Sequence, residues 1–221
     1  FGEQAKFPLP DLLKLLMVSQ LAGDKEAEKM LVTTLDSMAA GDIRDRLDGG
    51  FFRYATRPDW SEPHYEKMLE ENALLMSVYA DAYLLTGIEG YGGVVGDIYR
   101  YLTTSLLEPR KGAFGGSQDA DAGYYALDAE GRRRVREDGV ALLVDYTIYA
   151  GSNAVAVSAL LRCWQVFGDE EYLEQGVRTL DFIWGEMWTP AGLCHYHDGQ
   201  PHLPGLLADT AHLLDACLDA Y

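Results

Sequence analysis

Three stretches of this 221-residue chain gather side chains that can move protons or grip a polar ligand. The first holds Arg53, Tyr54, Trp60, His64, Glu66 and Lys67. The second holds Gln118, Asp119, Asp121, Tyr124 and Tyr125, and the third His195, Tyr196, His197, Asp198 and His202. Carboxylates set among aromatic rings suit a sugar, because rings stack on pyranose faces while acids transfer protons. Glycoside cleavage needs two carboxyl groups. Epimerisation needs a base and an acid, often His, flanking one carbon. The candidate catalytic residues are therefore His64, Glu66, Asp119 and Asp121, with His64 or Glu66 as base and an aspartate as acid or nucleophile. Candidate substrate contacts are Arg53, Tyr54, Trp60, Lys67, Asn72, Gln118, Asn153 and His195. Arg53 would anchor an anion or hydroxyl, and the rings would stack.

Each motif also has a plainer reading. Asp119-Ala-Asp121 fits a turn and helix cap, since aspartate accepts backbone N–H bonds. Pro63-His-Tyr-Glu-Lys67 could brace the start of the next helix. Cys194, His195, His197 and His202 match no closed tetrahedral spacing, so no metal is expected, and no cofactor.

These residues need elements to hold them, and the sequence repeats. Asn72-Ala-Leu-Leu-Met runs to Gly87, then a second helical stretch, then Gly112-Ala-Phe114. Asn153-Ala-Val-Ala-Val runs to Gly168, then a second helix, then Gly192-Leu-Cys194. A looser copy starts at Asp11-Leu-Leu13 and ends at Gly50-Phe51, and a fourth begins at Asp209-Thr-Ala211 with only its first helix present. First helices are apolar nearly all round (Leu74 to Leu84; Val155 to Phe167), so they must be covered on every side. Second helices carry one stripe, such as Val94, Ile98, Tyr101 and Leu102, or Leu173, Val177, Leu180 and Trp184. An inner layer and an outer layer of helices follow, in a curved or closed α/α toroid. All loops joining an outer helix to the next inner one then emerge on one rim. Three such loops, about 41–70, 108–151 and 188–206, are long enough to be functional. Within them Phe51–Tyr54, Gly123–Ala126 and Cys194–His197 could form short strands.

Composition narrows the partners. With 18 Lys and Arg against 35 Asp and Glu, the chain carries a formal charge of −17. Phosphate backbones and anionic membranes are poor matches for such a surface. No apolar run reaches the roughly 18 residues of a membrane span. Phe1-Gly-Glu-Gln4 lacks the order of a signal peptide, and without an initiator Met the chain reads as a piece of something longer. Three cysteines without a Cys-x-x-Cys pair point to a reducing, cytoplasmic setting, with Cys163 and Cys217 as core residues.

The strings Lys6-Phe-Pro8, Gly49-Gly-Phe-Phe-Arg-Tyr54, Pro63-His-Tyr-Glu-Lys-Met-Leu69, Asn72-Ala73, Ser117-Gln-Asp-Ala-Asp121 and Asp209-Thr-Ala211 resemble, in this order, the spermatogenesis-associated, thioredoxin-domain-containing family of bacteria and animals. The resemblance covers nearly the whole chain. It implies an all-α fold of the six-hairpin glycosidase type, here incomplete at about three and a half hairpins, as one domain spanning 1–221. The family's thioredoxin-like domain has no counterpart in this chain, and Phe52 stands where the family commonly has His. The family has no firmly established reaction.

Two functions follow as expectations. One is a carbohydrate-active domain, hydrolase or epimerase, taking a sugar-like small molecule at the rim. The other is a non-catalytic module that binds a ligand or a thioredoxin-like domain. A purely structural array would have no cleft. An incomplete toroid would also leave inner helices uncovered, favouring a homo-oligomer.

Overall fold

The computed structural model describes residues 5–140 and 142–221, so the reading of Phe1–Gln4 lies outside the described residues. Helix pairs dominate. The inner helices are α1 (Pro10–Leu21), α3 (Leu69–Thr86), α7 (Ala150–Phe167) and α9 (Leu207–Ala220). Helices α2 (Lys25–Ala40), α4 (Gly90–Tyr101) and α8 (Glu170–Phe182) form the outer layer. Two short helices, α5 (Ala122–Tyr125) and α6 (Ala129–Glu137), lie in the long middle loop. The inner helices pack in the order α1, α3, α7, α9, and each of the first three also packs on its own outer partner. The result is an open arc of three hairpins and one further inner helix.

The termini of the elements have local causes. Gly87 and Gly168 end α3 and α7 in the left-handed conformation, at φ 70° and 69°, where a Cβ would be penalised. Asp24 and Asp169 cap α2 and α8 by accepting backbone N–H bonds. Helices α4 and α8 each continue into a π-helical turn, Leu102–Leu106 and Ile183–Met187, before a tight two-stranded turn.

Burial follows the expected layering in the middle and departs from it at the edges. Leu75, Met76, Val78, Tyr79 and Ala80 on α3 are fully buried, as are Ala156, Val157 and Leu160 on α7. Helices α1 and α9 have a neighbour on one side only, which leaves Leu15, Val18, Leu214 and Leu218 exposed. On α8 and the turn after it the expected stripe is largely met, with Leu173 and Leu180 packed on the core and Ile183 and Met187 fully buried, but it is widened. Tyr172, Gln175, Gly176 and Thr179 face inward while Val177 and Trp184 are exposed. The cause is polar: Gln175 Nε2 and Thr179 Oγ1 both donate to the Gly112 carbonyl, at 2.9 and 2.8 Å. Gly123–Ala126 is likewise helical and not a strand, because Asp121 accepts the Tyr124 N–H and starts a turn there. The strand expected at Cys194–His197 is present as Gly192–His197, whereas Phe51–Tyr54 contributes only Tyr54–Ala55. Cys163, Cys194 and Cys217 are all free thiols. Among the described residues, no helix is long and apolar enough to cross a membrane.

Candidate functional site at the loop rim

The N-termini of α3, α7 and α9 open onto one edge of the arc, and the loop motifs gather there. A short antiparallel pairing sets Tyr54 opposite His64, and their rings stack with centroids 4.9 Å apart. The Arg53 amide donates to the Glu66 carbonyl, and Arg53 Nη1 donates to Glu66 Oε2 at 2.7 Å. His64 Nε2 lies 3.8 Å from the same carboxylate oxygen. Glu71, on the first turn of α3, comes within 4.0 Å of Arg53 Nε, and burial raises its carboxyl above the usual range. Arg53, Tyr54, His64 and Glu66 are thus brought together as one cluster.

A second cluster sits where α9 begins. His195, on the strand Gly192–His197, shares a 2.9 Å hydrogen bond through Nδ1 with Asp209 Oδ2. Asp209 is 5% exposed, and the Tyr149 ring lies 5.6 Å from the imidazole. Gly151 makes room for this pair. A Cβ there would come within 2.7 Å of Asp209 Oδ1, so a side chain would displace the carboxylate. Between the clusters, Ser152 Oγ donates to Glu70 Oε2 at 3.1 Å, joining the first turns of α7 and α3. The polar groups therefore run as an arc over three successive helix starts.

Beneath them the concave face holds a hollow of about 530 Å³, lined by Ser77, Asp81, Ser158, Arg162, His212 and Asp215 among others. Glu70 and Ser77, like Ser152 and Ala159, lie seven residues apart on one helical face, so the rim arc continues down the hollow's wall. Arg162 Nε donates to Asp81 at 2.6 Å on the wall.

Other expected site residues hold the structure instead. Asp121 caps α5, and Asp119 Oδ1 accepts the Ala120 N–H. Among the described residues, no hydrogen bond or ion pair links either to His64 or Glu66. Trp60 is 1% exposed and packs in the core beneath the Lys6 ammonium, which closes it to a sugar ring. Lys67 is wholly buried; its ammonium donates to Asp45 Oδ2 and to the Gly49 carbonyl, both at 2.7 Å. Arg132, from α6, reaches the same Asp45 carboxylate at 2.9 Å. Burial outweighs this pairing for Lys67 and lowers its ammonium to about 8, whereas for Asp45 the two cations prevail and hold the carboxyl below its usual range. Gln118 is buried in the strand opposite Lys67. Asn72 and Asn153 are fully buried and spend their side chains on backbone groups.

Of the rim groups, Glu70, Glu71, Ser152 and Asp209 were not among the expected residues. Glu71, Ser152 and Asp209 each occupy the third position of an inner helix, so aligning the copies on their helix starts would have found them. Among the described residues, no three His, Cys, Asp or Glu side chains gather to hold a metal ion.

No family model matches the chain. Human spermatogenesis-associated protein 20 is 40% identical over 127 residues, covering 55% of this chain and 16% of that protein. An uncharacterised protein of Caenorhabditis elegans is 36% identical over 130 residues, covering 55% of this chain and 17% of its own length. The match thus spans about a sixth of these curated relatives. Among solved structures, cellobiose 2-epimerase from Bacillus thermoamylovorans superposes with a TM-score of 0.70 at 10% identity, covering 98% of this chain and 56% of the enzyme. A GH76 α-mannanase from Bacteroides thetaiotaomicron gives 0.69 at 16% identity, over 98% and 52%. A D-mannose isomerase gives 0.67 at 11%, over 98% and 58%. At such identities the likeness is one of fold: an (α/α) toroid of the six-hairpin glycosidase type, present here as an arc.

Proposed function

For a chain similar to spermatogenesis-associated protein 20 over half its length and folded like sugar-active toroids, we propose a carbohydrate site at the loop rim whose chemistry is proton transfer. The observation that supports this most is the His195–Asp209 pair. A carboxylate accepting from Nδ1–H fixes the imidazole tautomer and leaves Nε2 as a base. His195 keeps a third of its side chain exposed, so that nitrogen is open to a ligand. His64, steadied by Tyr54 and Glu66, is the second proton carrier.

Epimerase- or isomerase-type chemistry suits this set better than hydrolysis. A glycosidase sets two working carboxyl groups across the scissile bond. Here Glu66 is held by Arg53, Glu70 by Ser152 and Asp209 by His195. Glu71, kept more basic by burial, has no second unengaged carboxylate in contact with it among the described residues. In the proposed step, the C2–H bond of an open-chain aldose breaks and its proton goes to imidazole. The electron pair moves to the carbonyl as an enediolate, and a proton returns to carbon from either side.

The test is solvent exchange. Incubated with mannose, glucose or cellobiose in D2O, the protein is expected to replace the C2 proton with deuterium, read by proton NMR. Asp209→Asn and His195→Asn should slow this about a hundredfold or more. No exchange with any of these sugars, at full occupancy of the rim, would remove the enzymatic reading. The alternative is a binding module partnering a thioredoxin-like domain, and the uncovered apolar faces of α1 and α9 favour it. In that case sugars leave the His195 ring signals unmoved, while a thioredoxin-like domain shifts them or the α1 and α9 amides.

A further inference from the structure

A second polar pocket, of about 630 Å³, lies outside the rim arc, against the outer helix α8. Three elements supply it. The tight turn after Glu108 brings Arg110 and Lys111, α8 brings Arg178, and the strand Gly192–His197 brings His197. Among the described residues, none of the three cations lies within 4.0 Å of a carboxylate, although the chain carries a net charge of −17. Arg178 spends one nitrogen on a long 3.5 Å bond to the Pro109 carbonyl, and its stem lies over Gly112, where a Cβ would meet it at 3.4 Å. The guanidinium is thereby laid beside the Arg110-Lys111 turn.

His197 gives the pocket its second, independent feature. The residue is 6% exposed, yet it lines the pocket. Its Nδ1 accepts the Gly199 N–H at 3.2 Å, so in the neutral ring the proton sits on Nε2. Nε2–H has no hydrogen-bond partner among the described residues, and it is not one of the polar atoms sealed from solvent. Phe182 packs edge-on against the ring, at 5.3 Å between centroids, and fixes its direction. Burial and the nearby Lys111 charge lower the imidazole's proton affinity against the opposing pull of Glu186 and Asp198, which favours the neutral ring.

We infer that this pocket binds a phosphate group, as inorganic phosphate or as the monoester of a small molecule, using Arg110, Lys111, Arg178 and the His197 Nε2–H. A compact dianion with three oxygens matches cationic donors converging from separate elements. Asp181 and Glu186 also line the pocket, and Glu186 is near enough to oppose the Lys111 charge at His197. The two acids leave a net charge of about +1, which suits a single phosphate better than an extended polyanion. This inference goes beyond the sugar reading and does not depend on it, since it shares no residue with the rim arc.

The experiment is a titration of the protein with inorganic phosphate, and separately with glucose 6-phosphate against glucose. It is followed by the nitrogen shifts of His197 and by calorimetry. Saturable binding that moves His197 Nε2 is expected, whereas glucose alone leaves the His197 signals unmoved. Lys111→Gln and Arg178→Gln, both surface changes that keep an aliphatic stem, should each weaken it about tenfold, and more together. Binding of the ester alone would mean the pocket also reads the sugar, and the inference would stand. No shift at His197 with either ligand, or equal affinity in both variants, would overturn it. Loss of C2–H exchange at the rim leaves this result untouched, so the two proposals fail separately.

Discussion

Asn72 and Asn153 make the same three hydrogen bonds from the same place in successive inner helices. Asn72 Oδ1 accepts the Phe51 N–H at 2.7 Å, and its Nδ2 donates to the carbonyls of Phe51 and Met68. Asn153 does likewise with the N–H and C=O of Phe114 and the carbonyl of Tyr149. Each amide clips the preceding loop to the helix that follows it, with the side chain standing in for a strand. Truncation would strand three buried backbone groups. Asn72→Ala or Asn153→Ala should therefore cost about 2–4 kcal/mol, read as a lower denaturation midpoint. A change below about 0.5 kcal/mol in either would contradict the clamp.

The buried Lys67 ammonium gives stability a defined pH dependence. Its folded-state value, about 8, lies below that of an unfolded lysine, near 10.4. Between those values the unfolded chain holds the proton and the folded one does not, so stability contributed by this group rises with pH through that window. Asp45 runs the other way. Its folded value is depressed, so its contribution is present above the ordinary carboxylate range and is lost as pH falls through the lowered one. Melting curves from pH 7 to 10, compared with Lys67→Met, isolate the first effect. Parallel curves for the two proteins would refute it.

Trp60 separates core from ligand chemistry. It is held at φ 68° in a loop, a conformation bulky residues seldom take, and its ring is closed off from solvent. Trp60→Ala should cost about 3–5 kcal/mol and leave sugar binding per folded molecule unchanged. A stable variant with weakened sugar affinity would return Trp60 to the site.

Asp119 and Asp121 make a matched control for the rim. Asp121→Asn retains a capping oxygen, so it should change stability by only a few tenths of a kcal/mol and leave C2–H exchange intact. Asp119→Asn should do no more. A hundredfold loss of turnover in either variant would move the chemistry away from His195 and Asp209.

The open edges predict self-association. Leu15 and Val18 on α1, with Leu214 and Leu218 on α9, are well exposed apolar residues on helices whose counterparts α3 and α7 are covered. Light scattering should report a mass above 24.5 kDa that rises with concentration. Val18→Glu with Leu214→Glu should lower it to the monomer. A monodisperse monomer at millimolar concentration would exclude this use of the edges.

Much of this was legible because it is local. Helices α3 and α7 announce themselves by apolar residues on every side and by the terminal Gly87 and Gly168. Arg53, Tyr54, His64 and Glu66 lie within one loop, so their meeting is a short-range event. The His195–Asp209 pair joins a strand to a later helix. An aspartate in the first turn of a helix reads equally well as a partner of the helix dipole. Arg132 illustrates the limit more sharply. In sequence it is one of a run of surface arginines, yet it alone of them is buried, against an Asp45 carboxylate from the loop between α2 and α3. No periodicity encodes such a contact. Asn72 and Asn153, which open two of the repeats and stand among the expected substrate contacts, spend their amides on the backbone.

Helices α3 and α7 each pack on the inner helix before and the one after, and each is clipped to its preceding loop by its own asparagine. A hairpin can therefore be gained or lost by creating or deleting a single junction, with no rethreading of the others. Such a chain is modular along its length, each hairpin carrying its own means of attachment to the next.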